Sequence, residues 1–240
     1  HSEAQWFVRG VPNVKKAFAK VWETDDLLTS FDGVSLWRPW NIDPSWKTQS
    51  GQAWFHIDQH PISKPGKQCI QGLINLLPTS EEIGGNVVIP KSHNFFKDLP
   101  EEYKERVERL PLDIDHFRFP HDDPKLSSEP AVMAHMEPGD MLLWDSRTIH
   151  CSSSGSSLPE GTNDLIRAAS LICMMPKELS SKEIIEKRIH AAENLVSTTN
   201  WTNDFRNADE FPIILEAENR DQYKWPKKPN LSEYQKDLIA

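Results

Sequence analysis

Near the N-terminus apolar residues recur at helical spacing, with Val14, Phe18, Val21 and Trp22 at i, i+4, i+7 and i+8, which predicts an amphipathic helix. Thr24, Asp25 and Asp26 end it. From residue 27 the pattern shortens into β-branched and aromatic runs. Residues 27–40, with Asp32-Gly33 as a hairpin turn, then 53–58, 69–77 and 86–90, read as strands. Pro61, the turn Lys64-Pro65-Gly66-Lys67 and Gly84-Gly85 punctuate them. Residues 100–110 predict a charged helix with Tyr103, Val107 and Leu110 on one stripe, and 111–130, rich in Pro, Asp and Ser, read as an excursion loop. Strand signals resume at 131–136, turn at Glu137-Pro138-Gly139-Asp140 and run through 141–149. A Ser/Gly-rich stretch, 151–161, leads to a last strand at 166–175. Ser180-Ser181-Lys182-Glu183 has the form of a capping box, and Ile184, Ile185, Ile189 and Leu195 carry a helix to about residue 195. A polar, aromatic tail closes with a short helix near 231–239. Six or more short strands flanked by helices, without a 20–50-residue repeat, predict an all-β core, sandwich or barrel, with a helical shoulder.

Two hundred and forty residues fit one domain, 1–240, with its β core over about 27–177 and a helical and loop extension over about 178–240. Nine Trp and ten Phe argue for a packed interior despite a mean hydropathy of −0.59. The net charge of −9 makes nucleic acid an unexpected partner, and the Lys224–Lys228 cluster is too small to reverse it. The sequence has no apolar run of the roughly 18 residues a membrane helix needs, so no membrane partner is expected. Cys69, Cys151 and Cys173 are odd in number and lack a CxxC pair. With no signal-peptide pattern at the start, they suggest reduced thiols and a cytoplasmic setting, against which the two sequons at Asn200 and Asn230 weigh little. Opening on His1 rather than Met suggests a piece of a longer protein.

The sharpest local feature is Trp54-Phe55-His56-Ile57-Asp58-Gln59-His60-Pro61. In a strand, His56 and Asp58 project from one face. An imidazole and a carboxylate side by side supply two of the three ligands of a 2-His-1-carboxylate metal site, although a structural His near an acid is the commoner case. Downstream, 141–149 ends in His150. Arg167 opens an apolar strand, where its guanidinium is costly unless an anion meets it; a carboxylate ligand and an ordinary salt bridge to Asp or Glu are equal readings of that residue. Gln71 and Asn75 share a strand face and read best as polar groups bonded within the barrel. His60 reads as a residue just behind the ligands or at the pocket rim, His93 as structural in its turn, and His116, His121 and His135 as mostly solvated. Trp37, Trp40, Trp46 and Trp54 are candidate pocket walls, with core the simpler role for some.

Taken together, His56-x-Asp58, the 84–93 segment GGNVVIPKSH, and Pro138-Gly139-Asp140…Trp144-Asp145…His150 followed by Arg167 resemble the phytanoyl-CoA dioxygenase-type oxygenases over roughly residues 27–177. The resemblance implies a double-stranded β-helix (jelly roll, cupin-like) and a non-haem Fe(II)- and 2-oxoglutarate-dependent dioxygenase. By position it implies His56, Asp58 and His150 as iron ligands, Arg167 as partner of the 2-oxoglutarate distal carboxylate, and Ser152 as a co-substrate contact. O2 would oxidise 2-oxoglutarate to succinate and CO2 while a small organic substrate is hydroxylated or desaturated. Asp58 occupies the position that halogenating relatives lose, so halogenation is disfavoured. The chain departs from the family in Lys91, where relatives usually carry Gly, and in a longer 151–166 loop. Two rival readings share the residues: a non-catalytic metal- or ligand-binding module of the same fold, and a Zn2+ hydrolase, which leaves Arg167 without a task.

Overall fold

The period-2 runs fold into two five-stranded sheets. In the computed structural model, which describes residues 1–47, 54–204 and 227–240, the strands are β1 (Leu27–Thr29), β2 (Val34–Trp37), β3 (His56–Asp58), β4 (Ile70–Asn75), β5 (Gly84–Val88), β6 (His116–Arg118), β7 (Val132–Met133), β8 (Met141–Asp145), β9 (His150–Ser154) and β10 (Arg167–Pro176). The helices are α1 (Glu3–Arg9), α2 (Pro12–Trp22), α3 (Leu99–Glu102), α4 (Lys104–Arg109), α5 (Lys182–Asn194) and α6 (Glu233–Lys236). Ala53, expected in the strand of His56, and Lys224 of the small basic cluster lie outside the described residues. One sheet has the order β6-β3-β9-β5-β7; the other runs β1-β10-β4-β8, with β2 also on β10. This is an all-β core with flanking helices, the jelly-roll arrangement.

The chain divides into two compact units, one of residues 1–34, 71–73 and 170–240, the other of 35–70 and 74–169. In the first, Pro12 at the start of α2 presets the helical φ, Val14 and Phe18 are its buried face, and Glu23 ends it in a left-handed conformation. Trp6, Phe31, Ala191 and Ile239 form this unit's aromatic core. The buried Arg188 of α5 gives its guanidinium hydrogens to the carbonyls of Thr29, Thr202, Leu238 and Ile239 at 2.7–3.2 Å, tying the helix to the end of the chain. The N-cap of α5 is Ser181, whose hydroxyl accepts from the Ile184 amide, rather than the expected Ser180. The box pairs Ser232 with Gln235 at α6 instead.

The second unit holds the β6-β3-β9-β5-β7 sheet, and the alternation along its strands sorts two chemistries onto two faces. Phe55, Ile57, Val87, Ile89, Phe117, Phe119, Ile149 and Cys151 pack on one face with Phe96, Leu99 and Val107. His56, Asp58, Asn86, His150 and Ser152 alternate with them and take the other. The strand pairings keep that phase: His56 faces His150, Val88 faces His150 and Asn86 faces Ser152.

Several sequence expectations are corrected. Asp32-Gly33 is not a hairpin turn, because β1 and β2 both pair with β10; they are successive lengths along one partner. Residues 111–130 are not loop throughout. His116–Arg118 pairs antiparallel with β3, and Phe117 is buried, so two buried aromatics at period 2, Phe117 and Phe119, outweigh the polar composition around them. The run 141–149 is not one strand: residues 146–148 turn, β8 belongs to one sheet and β9 to the other. Gly84 and Gly85 lie inside β5, and 151–154 inside β9, rather than in loops. The 100–110 helix breaks at Tyr103 into α3 and α4.

Candidate metal centre

The turn between β8 and β9 places His150. The Asp145 carboxylate accepts from the Arg147 amide at 3.0 Å and from its guanidinium at 2.8 and 2.6 Å, and the Asp145 carbonyl accepts from Thr148. Ser146 ties the turn to the neighbouring strand: its hydroxyl donates to Gln59 Oε1 at 2.6 Å, and its carbonyl accepts from the Asp58 amide at 3.0 Å. Ser92 fixes the entry to β9, donating to the Ile89 carbonyl and accepting from the Ile149 amide at 2.7 and 2.8 Å. Its neighbour Lys91 takes the left-handed conformation, φ 63°, which a glycine adopts without strain. The departure noted in the sequence is thus a real backbone demand met by a lysine.

With that register set, His56, Asp58 and His150 converge, their ligand atoms all within 4.8 Å of one another. His150 Nε2 is 3.2 Å from Asp58 Oδ2, and His56 Nε2 is 3.5 Å from Oδ1. The other ring nitrogens settle the tautomers. His56 Nδ1 lies 2.9 Å from the Trp54 carbonyl and His150 Nδ1 lies 2.8 Å from the Thr148 carbonyl. A carbonyl only accepts, so each Nδ1 donates and each Nε2 is the atom turned to the carboxylate, where it donates when protonated and is free to bind a metal when neutral. Burial pushes the Asp58 carboxyl up, but the His56 charge and hydrogen bonds from His116, His150 and His56 together hold it well below the usual carboxylate range. A metal displacing those Nε2 protons would meet two imidazole nitrogens and one ionised carboxylate, a donor set that fits Fe(II) and equally fits Zn2+.

Arg167 is 2% exposed. Its guanidinium carbon sits 4.4 Å over the Trp37 ring, and Nη1 donates to Ser152 Oγ at 3.5 Å. Among the described residues Nε has no partner and no carboxylate pairs with the guanidinium. Burial draws its pKa down to about 10, still charged at neutral pH. Asn86 Oδ1 and Trp144 Nε1 are also buried without partners among the described residues. Asn86 is opposite Ser152, and the Trp144 ring is 5.4 Å from that of His150. Three unmet polar atoms around one site are what a polar ligand would satisfy.

The remaining candidates separate cleanly. Asn75 donates to Thr79 Oγ1 and to the Met136 carbonyl, as a residue bonded within the barrel does, and Gln71 is buried on β4. His60 neither backs the ligands nor rims the site. Its Nδ1 accepts from the Ile62 and Ser63 amides at 3.1 and 3.0 Å, capping the turn after β3. His93 is half-buried in its turn, and His121 and His135 are exposed. His116 is the residue the sequence reading missed. It faces Asp58 across the β3–β6 pair, its Nδ1 is 3.4 Å from Asp58 Oδ1, and its ring is 4.3 Å from that of His56. The signal that could have found it is the His-Phe-Arg-Phe alternation at 116–119.

Residues 35–158 match the family model described as phytanoyl-CoA dioxygenase (PhyH). Ava biosynthesis cluster protein O of Aspergillus versicolor is 33% identical over 207 residues, 83% of this chain and 63% of that protein. A Dictyostelium discoideum protein bearing the family's name is 22% identical over 225 residues, 81% of this chain and 60% of its own length. The chain therefore spans less than two thirds of either relative. Among solved structures, the non-haem α-ketoglutarate-dependent epimerase SnoN from nogalamycin biosynthesis superposes with a TM-score of 0.43 at 15% identity, covering 73% of this chain and 60% of that one. With the family model matching more than half its length, a range that contains the converged His56, Asp58 and His150, the chain belongs to the phytanoyl-CoA dioxygenase family.

Proposed function

We propose that this chain carries the active site of a non-haem Fe(II)- and 2-oxoglutarate-dependent dioxygenase that hydroxylates or desaturates a small organic molecule. His56, Asp58 and His150 hold the iron, and Arg167 with Ser152 holds the far carboxylate of 2-oxoglutarate. The observation that carries the reading is Arg167, a buried cation that no carboxylate among the described residues meets, in the same unit as a 2-His-1-carboxylate cluster. A Zn2+ hydrolase would leave that charge without a task, and a non-catalytic metal- or ligand-binding module of the same fold would use it without turnover.

Bound iron would supply the activation of O2, driven by decarboxylation of the keto-acid to succinate and CO2. The protein's own part is positional. The Trp54 and Thr148 carbonyls fix the imidazole tautomers. Arg167 offers a planar fork that suits a carboxylate, with the Ser152 hydroxyl beside it. Trp37 beneath the guanidinium, and Trp54 and Trp144 beside the ligand histidines, limit water at the reacting centre.

Anaerobic Fe(II) and 2-oxoglutarate should produce the weak visible band of the chelate, and admitting O2 should release succinate slowly even without substrate. His150→Ala should remove both with the fold intact. Arg167→Met should keep iron binding but raise KM for 2-oxoglutarate by about 30-fold or more, the equivalent of ~2 kcal/mol for stripping one partner from a buried charged pair. Iron-loaded, folded protein with neither band nor succinate would sink the proposal in favour of the binding module.

A further inference from the structure

We propose that His116 is a positioning residue of the metal centre, holding the outer oxygen of Asp58 so that the carboxylate presents one oxygen, Oδ2, to the metal. The inference rests on the reading of His56, Asp58 and His150 as ligands. Asp58 stands at the end of a three-residue strand and its side chain is 23% exposed, so the groups that meet its two oxygens bear on how the carboxylate is turned. Its two oxygens meet different partners. Oδ2 turns to His150 Nε2 at 3.2 Å, whereas Oδ1 lies 3.4 Å from His116 Nδ1 and 3.5 Å from His56 Nε2. The β3–β6 register sets His116 directly opposite Asp58, and its ring packs 4.3 Å from His56 at 39°. An imidazole so placed is anchored from two sides, by Asp58 and by the His56 ring.

The converging ligand atoms come from His56, Asp58 and His150 and do not include His116, which separates holding the carboxylate from binding the ion. A hydrogen bond to Oδ1 has a chemical consequence. A carboxylate that chelates through both oxygens fills a further coordination position, and a one-oxygen carboxylate leaves that position to co-substrate and O2. Partners of ligating carboxylates typically carry 10–100-fold in metal affinity.

Cobalt(II) is a suitable probe, because its d–d absorption reports coordination number as well as occupancy without turnover. The side chain of His116 is 44% exposed, so substitutions there spare the core, and circular dichroism checks that they do. His116→Ala and His116→Phe, the second keeping a ring against His56, should both weaken cobalt binding about 10–100-fold and change the band shape. His116→Asn, whose amide N–H replaces Nδ1–H, should restore both affinity and spectrum. Wild-type affinity and spectrum in the Ala and Phe variants would overturn the proposal and leave the metal centre standing. A loss in the Asn variant as deep as in Ala would overturn it too, since the imidazole itself would then be binding the ion. If His150→Ala binds cobalt as well as the wild type does, the metal centre falls and this proposal with it.

Discussion

Lys91 shows how far one residue's backbone can reach. A left-handed φ costs a non-glycine residue about 1–2 kcal/mol, and here that strain holds Ser92 where it accepts the Ile149 amide, one residue before His150. The side chain returns little: its ion pair with Glu129 is exposed on both sides and belongs to the class worth about 0–1 kcal/mol. Lys91→Gly should therefore stabilise the protein by roughly 0.5–1 kcal/mol, part of the relief being offset by the greater freedom of glycine in the unfolded chain. Lys91→Ala, which keeps the strained φ, should not stabilise. Urea midpoints of the two variants distinguish backbone relief from loss of the ion pair. At this scale the sequence was informative because a glycine-type turn occupied by lysine is visible as a mismatch. His116 was not visible in the same way. The His-Phe-Arg-Phe alternation marks a strand there, but the partner strand lies almost sixty positions earlier and no local pattern records which one it is.

Among the elements, the β5–β9 pair is the most tightly specified. Gly155 follows β9 so closely against the preceding loop that a Cβ there would lie 1.7 Å from the Glu82 carbonyl oxygen. Gly84, at φ 101°, would place one 2.2 Å from that of Ser153. Both obstacles are backbone, which cannot swing aside as a flexible side chain can. Gly155→Ala should thus cost about 3 kcal/mol or more, at or beyond the upper end for overpacking. Gly33→Ala, where the added carbon meets nothing within 4 Å, should shift stability by no more than about 0.5 kcal/mol. Thermal or urea unfolding of the pair checks the contrast. Strand positions were largely legible because buried aliphatic and aromatic residues alternate along them. Strand ends were not. The Trp-Asp-Ser-Arg-Thr segment reads as continuous strand, yet the Asp145–Arg147 pair folds it into a turn, because that ion pair closes over two residues. Nor could pattern alone tell that β1 and β2 share β10, since their partner lies some 140 residues on.

Across the whole molecule, three thiols are enclosed and unpaired by disulfide, and one of them couples stability to alkaline pH. Burial pushes the Cys151 thiol up to about 12, against roughly 8.5 for an open chain. Below pH 8 both states hold the proton and the contribution is constant. Between about 8.5 and 12 the unfolded chain loses its proton first, so stability falls as pH rises, by at most about 1.4 kcal/mol per pH unit. Unfolding free energies at pH 9.5 and 10.5 should drop less steeply in Cys151→Ala than in the wild type, whatever the absolute loss from the small cavity; equal slopes would contradict the assignment. Cys151 also bears on how the candidate centre is protected from misassembly. His150 and Cys151 are neighbours on β9 facing opposite sides of the sheet, one toward the carboxylate and one into the apolar core. Sliding β9 by a single residue past β3 and β5 would exchange them, burying an imidazole among phenylalanines and offering a thiol to the cluster. The Ser92 hydroxyl at one end of β9 and the glycine-only approach at the other act as two stops on that slide, so the ligand identity at this position is guarded by strand alignment rather than by the choice of histidine alone.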